Sequence, residues 1–258
     1  MRYLRCAWTA FQFECMGFTR SREQHFTIVQ AVPTAILFAY IASISDRPVA
    51  QAYIYFGALF LLAWANTIFR VGWQLSGELY GGTLDLSIVS RAPTFAIVFG
   101  RAAAIAILGV AAGVLGIAVV VLFTGRMPPA DSVPLLAVSL ALGIVALLAM
   151  SVVMSPVALL VDARAGFFNG LIPLLFFFSA FIFPASRLPD AIEFIPKLLP
   201  TSWAMEAVVG SAQGASTSSV IEDWAGAIGL SVLLFVIAKL GIDVIERRIR
   251  VNGTLGRS

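Results

Sequence analysis

Charge is scarce in this chain. Only 12% of its 258 residues are Asp, Glu, Lys or Arg, where a soluble domain carries about 25%. The single histidine, His25, sits at a membrane boundary and excludes a histidine-based metal cluster or catalytic dyad. The two cysteines, Cys6 and Cys15, both precede the first apolar run and are not at ligand spacing, so they read as ordinary thiols on the cytoplasmic side, where disulfides are rare. The only lysines are Lys197 and Lys239, preceded by Pro196 and Ala238. Neither completes a G-x-x-x-x-G-K-[ST] loop, so the chain cannot hydrolyse nucleotide by that route. Few ionisable groups fall within apolar runs, which leaves a proton relay or ion-coupled carrier without parts. An integral membrane enzyme is disfavoured on the same grounds.

What is present is apolar surface. Hydrophobic residues make up 60% of the sequence and mean hydropathy is +0.94. That describes an all-α integral membrane protein with room for about six spans of roughly 20 residues. The net charge of +3 is no sign of nucleic acid, because the basic residues flank apolar runs.

Residues 1–25 place Leu4, Ala7, Trp8, Phe11, Cys15 and Phe18 three or four apart, with Arg2, Arg5, Gln12 and Glu14 elsewhere on the wheel. This predicts an amphipathic helix at the membrane interface; a small cytoplasmic packing helix is the alternative. The transmembrane domain is expected over 26–245. Its spans are predicted near Phe26–Ile44, Ala52–Trp73, Phe95–Thr124, Val133–Val161, Gly166–Phe183 and Trp224–Ile245. The third is longer than a perpendicular crossing needs, and its Gly109-x-x-x-Gly113 and Gly116 form a small-residue face suited to close helix approach. Residues 211–223 read as a solvated loop, and 246–258 as a basic cytoplasmic tail.

Two stretches break the apolar pattern. Residues 74–94 carry Glu78, Asp85 and Arg91 with Gly77, Gly81 and Gly82. Each charge costs roughly 2.5–3.5 kcal/mol at the bilayer centre, so the segment belongs outside it. After Gly82, Leu84, Leu86, Ile88 and Val89 give a short amphipathic helix that Pro93 closes. Asp85 has two open roles, capping that helix or docking a partner; Glu78 has Arg70 and Arg101 as alternative mates. Residues 184–210 are too polar to span and too apolar for an ordinary loop, and Pro184, Pro189, Pro196 and Pro200 divide them. They read as a re-entrant helical hairpin. With six crossings and both termini cytoplasmic, all of the 17 basic residues except Arg47, Arg126, Arg187 and Lys197 fall on the cytoplasmic side.

These features together resemble the permease subunit of type-2 ABC exporters. The likeness rests on the helix before the first span, on Glu78, Gly82-Thr83-Leu84-Asp85-Leu86 and Arg101, on the long third span, and on Phe183-Pro184, Leu188-Pro189 and the run Leu199-Pro200-Thr201-Ser202-Trp203-Ala204-Met205-Glu206. Asp85 departs from the glutamate common there, and the proline at Pro93 comes later than is usual. The resemblance implies a coupling helix between spans 2 and 3, docked by Glu78, Gly82, Thr83, Leu84, Asp85, Leu86, Ile88 and Val89 on a cytoplasmic ABC ATPase dimer. It implies an exit hairpin with Pro200, Trp203 and Glu206, and a second permease copy, identical or different. No cofactor or metal is expected on this chain; ATP and Mg belong to the partner. The plasma (inner) membrane is the expected location. Phe176, Phe177 and Phe181 are candidates to line an apolar path for a drug-like or lipidic amphiphile. A polysaccharide or glycolipid exporter, and a passive pore or scaffold, are the alternatives.

Overall fold

In a computed structural model, residues 2–20, 23–44, 48–80, 93–160 and 165–252 are described. They form eight α-helices and, among the described residues, no strand: α1 (Arg2–Arg20), α2 (Glu23–Ile44), α3 (Pro48–Tyr80), α4 (Thr94–Thr124), α5 (Val133–Leu160), α6 (Ala165–Phe178), α7 (Pro200–Ala212) and α8 (Thr217–Asn252). Single 3-10 turns at Ala185–Arg187 and Pro196–Leu198 lie between α6 and α7. Three helices are long and apolar enough to cross a membrane by length and composition: α4, α5 over Val133–Ala158, and α8 over Thr217–Arg248. Val32–Ile44 and Gln51–Trp64 are shorter apolar helical stretches.

Helix α3 is the centre of the bundle. It packs most extensively on α4 along one side and on α5 along the other. Helices α1 and α2 cover α4, while α7 and α8 cover α5 and each other. The α3–α4 seam is where the glycines act. A Cβ on Gly109 would sit 2.9 Å from the Ala63 carbonyl oxygen, and one on Gly113 would sit 2.5 Å from that of Leu59. The small-residue row on α4 therefore lets the α3 backbone approach within the same chain. Around it Phe56, Leu59, Phe60, Ala63, Trp64 and Ile105 are buried.

Helix boundaries differ from the sequence reading in several places. First, α6 stops at Phe178, short of the expected Phe183. Ser179 closes a turn onto the Phe176 carbonyl at 3.1 Å, and Ala180 adopts a left-handed φ of 56°, which ends helical geometry. At 14 residues α6 extends about 21 Å, less than the roughly 30 Å hydrocarbon layer. Second, the hairpin is one 13-residue helix, α7, preceded by turns, rather than a pair of short helices, because four prolines interrupt the run before Thr201. Third, the expected loop 211–223 is only the turn 213–216. Ser211 and Ala212 belong to α7, and Thr217–Asp223 open α8. The Ser and Thr hydroxyls there suggested a loop, yet Ser216 caps the helix by accepting the Ser219 N–H at 3.4 Å. At its far end α8 continues to Asn252, so the start of the expected tail is helical.

Candidate functional site

The segment singled out by the sequence lies between α3 and α4. Gly82, Thr83, Leu84, Asp85, Leu86, Ile88 and Val89 lie outside the described residues, whereas Glu78 stands in the last turn of α3. Helix α3 runs past Trp73 to Tyr80, so residues 74–80 extend the helix rather than belonging to a loop.

Both flanks of the segment are anchored by polar contacts. On the incoming flank, Arg70 of α3 donates from Nη2 to Glu14 Oε1 of α1 at 3.3 Å and lies over the Phe18 ring at 5.4 Å from its centroid. Glu14 is buried because α1 turns Ala7, Ala10 and Glu14 toward the bundle. The Ala7 backbone packs directly against Gly100 of α4, where no Cβ fits. Tyr3, Leu4, Trp8, Phe13 and Met16 are left exposed, an apolar face of the kind that lies in a membrane interface. On the outgoing flank, Thr94, the first residue of α4, donates its hydroxyl to Glu246 Oε1 of α8. Cys6 and Cys15 are free.

The opposite end of the bundle is built around α7. Pro200 is buried at the helix start, where its missing N–H is harmless. Thr201 Oγ1 donates to Ser179 Oγ at 2.9 Å, and Ser179 donates to the Leu175 carbonyl at 2.7 Å, tying the start of α7 to the end of α6. Trp203 donates Nε1 to the Lys197 carbonyl at 2.9 Å and lays its ring over Gly226 of α8, where a Cβ would be 2.5 Å from Cδ2. Ser139 of α5 shares a hydrogen bond with Ser211 at 3.0 Å and accepts Trp224 Nε1 at 2.8 Å. The hairpin is therefore fastened to α5 and α8. Tyr55 closes the same end of α3 against α4, 3.0 Å from Thr124 Oγ1 and 2.8 Å from the Arg126 carbonyl it donates to.

Glu206 is the charged residue of this hairpin helix. Burial pushes its carboxyl above the usual range; the Ala185 backbone N–H and Lys197 oppose that, and Glu193 reinforces it. A carboxyl whose folded form holds its proton more tightly loses stabilisation as pH rises through that raised range. Glu206→Gln keeps the acceptor for the Ala185 N–H and stays neutral. It is therefore expected to raise the thermal midpoint at neutral pH and to leave it unchanged in acid. A lower midpoint at neutral pH would show instead that Lys197 and the N–H outweigh burial.

The three phenylalanines separate. Phe181 is 1% exposed, stacked on Phe60 at 5.7 Å and 5.9 Å from Phe176, with its carbonyl pressed on Gly57. It is packed in the core of this chain. The left-handed turn at Ala180 swings it inward. Phe176 is partly buried against Trp64 at 5.5 Å. Phe177 is 44% exposed and meets Phe178 and Phe183 edge-on, each at 5.3 Å.

Sequence reasoning missed Glu14 as an inward group, Thr94, Glu246 and the Ser139–Ser211–Trp224 set. Glu14 had a signal: it falls on the Ala7, Ala10, Phe18 row, and a carboxylate on a packed row demands a cation. Thr94 and Glu246 had none, since their partnership joins residues 152 positions apart. Among the described residues no group of three or more His, Cys, Asp or Glu could hold a metal ion.

Against this geometry stand the comparisons. A family model described as ABC-2 type transporter matches residues 5–212, from α1 through the end of α7. No curated protein matches the chain.

Proposed function

Because the chain belongs to the ABC-2 type transporter family, as a membrane component of the transport type, we propose that it is the membrane-spanning subunit of an ATP-driven exporter. Two permease copies form the path between them, and a separate cytoplasmic ATPase dimer supplies ATP and Mg. The exported molecule is a drug-like or lipidic amphiphile. The observation that carries this reading is the family match over both polar stretches; the residues that flank 81–92, Tyr80 and Pro93, lie at one end of the bundle and α7 at the other. The Glu14–Arg70 and Thr94–Glu246 contacts lie at the segment's end, and the α7 hydrogen bonds lie at the other. The sequence holds no P-loop lysine, which supports a partner as the source of hydrolysis.

In this reading ATP binding changes how the partner contacts Leu84, Leu86 and Ile88. Only such a difference between the two states can bias the permease. The six-span arrangement with both termini inside is part of the proposal. Its test is thiol labelling in intact cells, on a chain whose Cys6 and Cys15 are replaced by Ser. Ser216→Cys, in the exposed turn between α7 and α8, is expected to react with an impermeant maleimide from outside. Thr254→Cys is expected to react only after permeabilisation. The reverse pattern overturns the orientation. Substrate class is tested by ATP-dependent uptake into inverted vesicles with fluorescent amphiphiles and with lipid-linked glycans; transport of the glycan alone replaces the amphiphile reading.

A further inference from the structure

Two groups of helices share α3 between them. Helices α1 and α2 gather on α4, α7 and α8 gather on α5, and α3 packs extensively on both α4 and α5. Thr94 and Glu246 join the groups at the end where residues 81–92 enter α4. Thr94 is buried and is the first helical residue after that segment. Pro93 ahead of it offers no capping side chain, and its carbonyl is taken by the Ala96 and Ile97 N–H groups at 2.9 and 3.3 Å. The carboxylate that meets this helix start comes from the other group. A carboxylate at a helix N-terminus is favoured by the helix dipole, and a hydroxyl donating to it forms a charge-assisted bond.

Glu246 stands near the end of α8, a 36-residue helix without proline, about 54 Å long at 1.5 Å per residue. A continuous helix without proline carries displacement along its axis better than a kinked one. The far end of α8 holds the hairpin: Trp203 over Gly226 and Trp224 on Ser139. Along its length it stays on α5, where Gly241 packs so closely on Pro156 that an added Cβ would lie 2.8 Å from the proline Cβ.

We propose that the Thr94–Glu246 contact is a latch that passes displacement of the 81–92 segment from the start of α4 to α8, and along α8 to the hairpin. This rests on the reading of that segment as the ATPase contact. The partner need not touch α8 for the hairpin to respond.

The test uses the full-length chain in lipid nanodiscs. In the first arm the permease is alone, and hydrogen exchange of residues 95–100 is followed by mass spectrometry. Thr94→Val removes the hydroxyl at constant shape and is expected to speed exchange there roughly tenfold; Thr94→Ser restores it. Parental exchange in Thr94→Val overturns the latch. In the second arm the ATPase is present, Cys6 and Cys15 are replaced by Ser, and spin labels sit at two exposed sites, Met127→Cys just after α4 and Ser216→Cys just before α8. Adding ATP is expected to shift the interlabel distance in the parent. Thr94→Val is expected to lose at least about half of that shift while still copurifying with the ATPase, and Thr94→Ser to regain it. A full shift in Thr94→Val, or loss of copurification, overturns the proposal. A parent that binds no ATPase overturns the coupling reading instead, and the exchange arm alone then decides whether the latch exists.

Discussion

Gly113→Leu is expected to lower the thermal midpoint of the purified permease by roughly 5–10 °C. The added Cβ would lie 2.5 Å from the Leu59 carbonyl oxygen and 3.0 Å from its Cα. Those are backbone atoms of α3, which cannot rotate away as a side chain would, so the two helices must separate. Overpacking of this kind costs about 1–3 kcal/mol, more where backbone must shift. Separation also loosens Gly109 from Ala63 and Gly116 from the Leu62 side chain, 2.6 Å from a Cβ there. The control is Gly229→Ala on α8, where nothing lies within 4 Å of the new Cβ. It is expected to hold the midpoint or raise it slightly, alanine being the better helix former. Equal midpoints for Gly113→Leu and the parent, measured by temperature-resolved size exclusion, would show that the seam does not hold the bundle.

The second large effect concerns the other half of the mechanism. Leu84→Glu combined with Leu86→Glu is expected to abolish copurification of the ATPase, at least tenfold, with the permease still folded in the membrane. Apolar anchors dominate interfaces when fully buried, and two carboxylates in such a contact lose their hydration without partners. The short helix proposed after Gly82 would have little stability of its own and would depend on what it touches. Asp85→Asn and Asp85→Ser separate the two roles of Asp85. Both residues cap a helix well, so retained ATPase binding marks a cap and lost binding marks a dock. A double leucine variant that carries a full complement of ATPase and still transports removes residues 82–89 from the coupling role.

The sequence was most legible where composition and spacing act locally. Apolar runs placed α4 and α5 almost to the residue, and the glycine row at Gly109, Gly113 and Gly116 announced a close helix contact. The row did not name its partner, because a small-residue face fits any helix that approaches it; α3 of the same chain takes it. The amphipathic pattern of α1 was visible, but the side that packs on the bundle was not assigned. Aromatic residues define the wider apolar arc, while the narrow side holding Ala7 and Ala10 is the one that fits against Gly100. The end of α6 was illegible because Ala180 takes a left-handed φ of 56°, a conformation that an alanine does not advertise. In the hairpin the prolines marked the interruptions correctly. The register of Trp203 on Gly226 could not be read, since it depends on how α7 meets a helix beginning five residues after it ends.

The Thr94–Glu246 contact also bears on the order of assembly during synthesis. Most packing in the first group joins helices that follow one another along the chain, and α3 meets α4 soon after both have left the ribosome. Glu246 emerges 152 positions after Thr94, near the very end of translation. Until then the Thr94 hydroxyl lacks the Glu246 carboxylate as acceptor. Helix α5 can pack on α3 as soon as both are made, and only the Thr94–Glu246 contact waits for the last turns of α8. A chain cut short before Glu246 would enter the bilayer with both groups built and the join between them missing at one end.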